Sequence, residues 1–327
     1  MVLAAGIGTR MRPLTLRRAK PTLPVLNRPL IHWTLERLAA AGVTDVVVNL
    51  HHRPASVRAV VGDGSEFGLR VIYSEERRIL GTAGGPRQVR GFFGSEPFLL
   101  VNGDVLFDFD LPQLLLRHRQ AGARASLALL PNPAPRRYTP VVSGRDGWIR
   151  SIAGRPAVAQ GRRGVSKTDR DVSLFTGIHV LDPALLERLP PGPSDSVRDL
   201  YLPLLESGES LLGVRVRGDW YDFGEPSRYL ASQLALLGVG RRSRSRRSLI
   251  HPEAVVAETA RVTSSVVGPK AVIGEGAVVE ESVLWGGARI GPGARVASAI
   301  LDGSARVGSG ETLRGRIVMG LRRFALR

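Results

Sequence analysis

Residues 3–24 read LAAGIGTRMRPLTLRRAKPTLP. The apolar start, Leu3, Ala4 and Ala5, suits a buried strand, and it runs straight into a turn that contains Gly6 and Gly8. Without a Cβ at those two positions the backbone can approach a ligand closely, and successive amide groups can cradle phosphate oxygens. Arg10 and Arg12 add planar cationic forks, and Lys20 adds a compact point charge. No Gly-Lys-Ser/Thr follows the glycines, so the segment is not a P-loop, and the G-x-G-x-x-G of dinucleotide-binding turns is absent.

Downstream, as far as Leu237, apolar runs alternate with helical patterns. Asp45–Leu50, Arg70–Tyr73 and Phe98–Asn102 read as buried strands, followed later by Ala125–Leu130, Ser173–Leu181 and Leu211–Val216. Helices are expected over Leu30–Ala41, Pro54–Val61 and Thr82–Phe93. In the first, Ile31, Leu35 and Leu38 recur at helical spacing and Gly42 supplies the stop; Pro54 suits a first helical turn, and Thr82 is a candidate N-cap. This alternation implies a largely parallel sheet with helices on both faces.

The pattern breaks at Gly238–Ser248, GVGRRSRSRRS, which has no apolar face and reads as a solvated linker. Beyond it, aliphatic residues recur six apart in triplets that restart every 17 residues: Ile250, Val256, Val262; Val267, Ile273, Val279; Leu284, Ile290, Val296; Leu301, Val307, Leu313. A period of six fits neither an α-helix nor a long strand. It fits a β-solenoid in which three short strands make one coil, each aliphatic residue points inward, and glycines such as Gly268, Gly274, Gly291 and Gly308 ease the corners. The tail, residues 315–327, holds Ile317, Val318, Leu321, Phe324 and Leu326 and suits packing against a solenoid end.

Composition bounds the rest. Hydrophobic residues make up 43%, enough for a substantial core, and the absence of cysteine excludes disulfides, thiolate metal sites and cysteine nucleophiles. No apolar run is long enough for a bilayer and no signal peptide is evident, so a cytoplasmic protein without a membrane partner is expected. The net charge of +17 suits anionic small substrates; with no aromatic interleaving and no recognition fold beside the linker, nucleic acid is not the expected partner. Only Lys20, Lys167 and Lys270 are lysines in an otherwise arginine-based set of 46 basic residues, which marks Lys20 as a place where an ammonium is wanted. His51, His52 and His179 lack a third ligand at metal-binding spacing, and read as core or surface residues.

The string at residues 3–25 closely resembles the signature of the sugar-1-phosphate nucleotidyltransferases, L-A-A-G-x-G-T-R-x-x-P-L-T followed by P-K-P-x-x-P-V, with Ala19 replacing the first proline of the second half. The likeness continues through LGTAGG (Leu80–Gly85), VNGDV (Val101–Val105), FTGIHVL (Phe175–Leu181) and WYDFGEP (Trp220–Pro226). The six-residue period resembles the left-handed parallel β-helix of hexapeptide-repeat proteins, a domain common in mannose-1-phosphate guanylyltransferase-like members. Several stretches also look like N-acetylmuramate 1-phosphate uridylyltransferases. The implied organisation is a Rossmann-like α/β domain with a mixed, mostly parallel sheet over residues 1–237, a linker over 238–248, and a short β-helix with its tail over 249–327.

The resemblance also implies roles. Arg10 would bind the triphosphate and stabilise charge as pyrophosphate leaves, and Lys20 would contact phosphate oxygens. Leu3, Ala4, Ala5, Gly6, Gly8 and Thr9 would line the nucleotide together with Gly81, Thr82, Ala83 and Gly84. Asn102, Gly103 and Gly177 would lie beside the sugar phosphate, and Asp104 and Asp222 would hold Mg²⁺. The implied substrates are an NTP and a sugar 1-phosphate: GTP with mannose 1-phosphate first, UTP with an amino-sugar 1-phosphate next. Retention of Arg10, Lys20 and both aspartates argues against a catalytically silent relative. Two departures stand out. The first strand is short, and Ala153-Gly154-Arg155-Pro156 replaces the Glu-Lys-Pro of many relatives, whose Glu contacts sugar hydroxyls. The β-helix is expected to join copies into a homo-oligomer.

Overall fold

A computed structural model describes residues 1–156, 172–238 and 247–326; residues 239–246 of the expected linker, and Lys167, lie outside the described residues. Two compact units emerge, one of Met1–Ile7 and Trp33–Trp220, the other of Gly8–His32 and Tyr221–Arg327.

In the first unit, the strand Val2–Leu3 lies between Asp45–Leu50 and Phe98–Asn102 and runs parallel to both. Arg70–Glu75 continues the sheet beyond Asp45–Leu50, again in parallel. Val46, Val47 and Val48 are all buried, as a strand covered on both faces requires. The other half turns antiparallel about the long strand Val172–Leu181, which pairs with Phe98–Asn102, Ala125–Pro131 and Pro140–Ser143. Leu211–Arg215 adds in parallel to Ala125–Pro131. The expected mixed sheet is thus parallel where strands alternate with helices, and antiparallel around that strand.

Helices fall close to their expected bounds, at Leu30–Ala40 and Pro54–Val61, with one exception. The span expected as Thr82–Phe93 is a helix only over Gly81–Gln88, then a 3-10 turn over Arg90–Phe92. Pro86 inside it has no amide hydrogen, and Gly84, Gly85 and Gly91 weaken helix formation on both sides. At the second departure named above, Ala153 and Gly154 both take positive φ and form a two-residue turn that joins Ile149–Ile152 to Arg155–Pro156.

The second unit contains the solenoid. Each strand pairs in parallel with the one 17 residues later, so Ile250, Val267, Leu284, Leu301 and Val318 stack in one column. The columns through Ile273 and Val279 repeat the rule. Inward residues from the second coil onward are buried, with alanines such as Ala271, Ala288 and Ala305 between the larger ones. One corner carries a serine ladder that the hydrophobic period does not reveal. The Ser265 amide donates to Ser248 Oγ, the Ser282 amide to Ser265 Oγ, and the Ala299 amide to Ser282 Oγ, at 3.0–3.2 Å.

The expected backbone freedom is not what the corner glycines supply. Gly268, Gly274 and Gly291 do not adopt positive φ; a Cβ on each would come within 2.5–2.7 Å of the next coil's backbone nitrogen. They are small because successive coils touch there. Positive φ falls instead at Gly276, Gly293 and Gly310, and at Ser264, Glu281 and Ser298. The tail continues the column with Arg316–Met319 and folds back antiparallel as Arg322–Ala325, burying Ile317 and Val318 but leaving Leu321 exposed.

Candidate functional site

The first unit places its share of the expected residues where the strand order reverses. From Val2–Leu3 the sheet grows one way through Asp45–Leu50 and Arg70–Glu75, then the other way through Phe98–Asn102. The carboxyl ends of strands at such a reversal leave a crevice, because the loops that follow diverge to opposite sides. Leu3 sits there between Asn49 and Asn102, and its carbonyl accepts the Gly103 amide at 2.9 Å. Leu3, Asn102 and Gly103 are therefore brought together, with the half-buried Asp104 next in the turn. Gly177 joins them. It has φ +81°, and a Cβ there would meet Asn102 Nδ2 at 2.5 Å, so only glycine lets Asn102 lie flat against this backbone. The irregular register between Phe175 and His179 in their pairing with Ala125–Pro131 accommodates it.

A buried polar relay, missed in the sequence, links two of the expected nucleotide segments. The Ala4 amide donates to Asn49 Oδ1 at 2.7 Å; Asn49 Nδ2 donates to Glu76 Oε1 at 2.7 Å; the Leu80 amide donates to Glu76 Oε2 at 2.8 Å. Asn49 is 2% exposed and Glu76 4%. A Cβ on Gly85 would come within 2.7 Å of Glu76 Oε1, so that glycine makes room for the relay. Asn49 and Glu76 lie at the end of a strand and just past another, where an apolar period gives no signal.

The glycines of LGTAGG have further structural partners. A Cβ on Gly81 would meet the Ser194 carbonyl oxygen at 2.5 Å, and one on Gly84 the Gly192 carbonyl oxygen at 2.3 Å. The Ala83 amide donates to the Ser194 carbonyl at 2.9 Å. Thr82 is not the N-cap, which is Leu80; its hydroxyl instead accepts the Ser196 amide at 2.7 Å. Close approach here is thus between chain segments.

The second unit folds Gly8–His32 as a string of 3-10 turns over Thr9–Met11, Leu14–Leu16 and Lys20–Thr22. Gly8 has φ +65°; a Cβ there would lie 3.0 Å from Thr15 Cγ2 and 3.4 Å from Lys20 Cβ. Thr15 Oγ1 donates to the Gly8 carbonyl at 2.8 Å. Gly8, Thr15 and Lys20 are therefore packed together, with Lys20 only 8% exposed, whereas Thr9 and Arg10 project into solvent. Buried Met11 and Leu14 anchor the string.

Asp222 ends the strand Trp220–Asp222 and forms an ion pair with Arg228, whose Nε also lies 3.1 Å from Glu225 Oε1. Asp104 and Asp222 each present carboxylate oxygen, the donor type that a hard divalent ion takes. Among the described residues no three His, Cys, Asp or Glu side chains gather into a metal-binding group. A cation at Asp222 would have to compete with Arg228 for that carboxylate. The histidines take structural roles. His51 Nδ1 meets the Glu76 carbonyl at 2.8 Å. His179 is buried against Tyr201 and Phe175, and burial pushes its pKa down to about 3.

Residues 1–238 match the family model described as nucleotidyl transferase. The chain belongs to the nucleotidyl transferase family. Residues 245–322 match a second model, described as the GMPPB C-terminal domain. Among curated relatives, the chain is 31% identical over 243 residues to the UTP–glucose-1-phosphate uridylyltransferase of Synechocystis, covering 70% of this chain and 61% of that one. It is 32% identical over 241 residues to the mannose-1-phosphate guanylyltransferase of Mycobacterium tuberculosis, covering 72% and 64%. It is 26% identical over 275 residues to a mannose-1-phosphate guanylyltransferase catalytic subunit beta of Drosophila pseudoobscura, covering 80% and 71%. The chain thus spans about three-fifths of the first two relatives' length. In fold it is similar to a Bacillus anthracis crystal structure described as a glucose-1-phosphate thymidylyltransferase, with TM-score 0.59 and 22% identity, covering 72% of this chain and 93% of that one. Among the described residues, no helix is long and apolar enough to cross a membrane.

Proposed function

We propose that the chain transfers a nucleoside monophosphate from an NTP to a sugar 1-phosphate and releases pyrophosphate, with GTP and mannose 1-phosphate as the favoured pair. The observation that carries this is the strand-order reversal at Leu3, where the expected nucleotide and sugar-phosphate residues leave adjacent carboxyl ends. The guanylyltransferase names of several relatives support the choice of base and sugar.

A sugar-phosphate oxygen attacks the α-phosphorus, and the bond from that phosphorus to the α,β-bridging oxygen breaks. The electron pair stays on the departing pyrophosphate. The nucleophile is already an anion, so no general base is needed, and the barrier lies in bringing anions together in line. In this reading Arg10, exposed on its 3-10 turn, gathers the triphosphate and offsets charge on the leaving group. Lys20, buried and held by its turn, places one fixed positive charge at the phosphates. Asp104 and Asp222 are the carboxylates that would hold Mg²⁺, which supplies charge neutralisation on the phosphate oxygens when bound.

Assembly through the solenoid belongs to the same reading. Its support is the first coil, where Ile250 is 41% and Val255 61% exposed.

Pyrophosphate release measured over the four NTPs against a panel of sugar 1-phosphates tests the function. GTP with mannose 1-phosphate should give the highest kcat/KM. Because of the Synechocystis relative, UTP with glucose 1-phosphate belongs in the panel, and its dominance would overturn the choice of base and sugar while keeping the reaction. No pyrophosphate from any pair would overturn the reaction itself.

A further inference from the structure

We infer that Trp285, a residue of the solenoid, is a positioning residue for the Lys20 turn, so that the β-helix works as part of the catalytic device. This rests on the function proposed above, and every contact involved lies within the second unit.

Positions 251, 268, 285 and 302 are equivalent in successive coils, and hold His, Gly, Trp and Asp. The large aromatic at Trp285 is thus peculiar to one coil. Its neighbour Leu284 points into the solenoid, so Trp285 projects from the corner, yet it is only 5% exposed. What covers it is Tyr229, on the helix Pro226–Leu236. The rings meet edge to face with centroids 6.4 Å apart, and the Arg18 guanidinium lies 5.6 Å from the Trp285 ring centre.

The hydrogen bonds here have only one consistent direction. Trp285 Nε1 is a donor with no acceptor capacity, and lies 2.9 Å from the Tyr229 hydroxyl. That oxygen must accept from Trp285, which leaves its single proton for the Pro24 carbonyl, its other partner. Burial pushes the Tyr229 pKa up, so the proton stays in place at neutral pH. The indole therefore fixes the tyrosine, and the tyrosine fixes Pro24.

Pro24 begins a hairpin in which Val25 pairs with Arg28 and both turn residues, Leu26 and Asn27, take positive φ. Two further contacts hold that hairpin. Gln233, one helical turn beyond Tyr229, accepts the Leu26 amide at 3.0 Å, and Asn27 Nδ2 donates to the Val267 carbonyl of the neighbouring coil at 2.9 Å. Directly before it stands the Lys20 turn, closed by the Leu23 amide on the Lys20 carbonyl at 3.1 Å. A lysine side chain has many rotamers, and its ammonium can sit at one point among phosphates only if the backbone beneath it is fixed. The clamp on Pro24, Leu26 and Asn27 supplies that fixed backbone; the solenoid contributes one anchor directly, through Val267, and steadies a second through the bond from Trp285 to Tyr229.

The test uses the full-length chain with Trp285→Phe, which keeps a ring and loses the donor, and Tyr229→Phe, which loses both bonds. Amide hydrogen exchange at Thr22, Leu23 and Leu26 is measured without substrate, so it does not depend on the proposed reaction. Exchange at these amides should quicken about tenfold in Trp285→Phe and more in Tyr229→Phe, while amides of the Asp45–Leu50 strand stay unchanged. Per folded molecule, kcat should fall about tenfold, with KM for the sugar 1-phosphate changing less than threefold. Unchanged exchange in both variants overturns the mechanical link, and quicker exchange with wild-type kcat overturns its catalytic meaning. If the wild type turns over no substrate pair, the proposed function falls and the exchange measurement alone decides the link.

Discussion

Replacing Glu76 with Gln keeps the size of the side chain and removes only its acceptor character, which is what the relay demands. The Ala4 amide, a donor, engages Asn49 Oδ1, so Asn49 must present its NH₂ to Glu76. On the far side the Leu80 amide also donates to Glu76. A carboxylate satisfies both donors. A glutamine offers one oxygen and one NH₂, and its NH₂ must face a donor at one end or the other. Flipping Asn49 moves the conflict to Ala4. Losing one bond to a charged acceptor and stranding one buried donor costs about 3 kcal/mol, which lowers Tm by roughly 6–12 °C in a domain of this size. Because the relay joins Ala4 to Leu80, the effect extends to function: KM for the NTP should rise about tenfold, with a smaller change in kcat. Thermal unfolding and initial-rate kinetics are the assays. Glu75→Gln is the control, since Glu75 is 66% exposed and pairs with Arg58 at the surface; it should cost under about 0.5 kcal/mol. A Glu76→Gln protein with wild-type Tm and wild-type KM refutes the relay.

Three other outcomes follow from the site. Lys20→Arg should lower kcat/KM by about a hundredfold, because a longer planar guanidinium does not fit a pocket packed against Gly8 and Thr15; wild-type kinetics would remove Lys20 from its role. EDTA should abolish turnover and Mg²⁺ or Mn²⁺ restore it, and Asp104→Asn should lose most activity while its circular dichroism stays that of the wild type; full activity would remove Asp104 from the metal site. His179 is held neutral by burial, with its pKa pushed down to about 3, so the unfolded chain binds a proton that the folded chain refuses. Its contribution is whole above the unfolded value near 6.5 and is lost as pH falls from there toward 3, at about 1.4 kcal/mol per unit; denaturant unfolding of His179→Gln at pH 7 and 5 should show a shallower loss than the wild type.

The parts legible in the sequence are those where burial imposes a period. Val46–Val48 and the columns through Leu284, Ile290 and Val296 are apolar because nothing else packs there, and their places follow from spacing alone. The signature glycines were also legible, but not always their reasons. Gly8 and Gly177 do need positive φ, whereas Gly84, Gly85 and Gly268 are small because another segment lies against them. Such a contact is set by tertiary structure and leaves no local mark. The same holds for Asn49 with Glu76, 27 residues apart, and for Tyr229 with Trp285, 56 apart. Polar pairs of this kind follow no repeat. The Arg228 partner of Asp222 was hidden for a related reason: the turn between the strand Trp220–Asp222 and the helix Pro226–Leu236 brings it back to an aspartate six residues earlier.

Two labels followed in one reaction test where the sugar phosphate attacks. With mannose 1-phosphate and Mg²⁺, GTP labelled at its α-phosphorus should pass its label to a sugar nucleotide, while GTP labelled at its γ-phosphorus should pass its label to pyrophosphate. Transfer of the γ label to the sugar phosphate would contradict attack at the α-phosphorus, and release of the α label only as free nucleotide, whichever sugar 1-phosphate is supplied, would contradict the sugar phosphate as the attacking group.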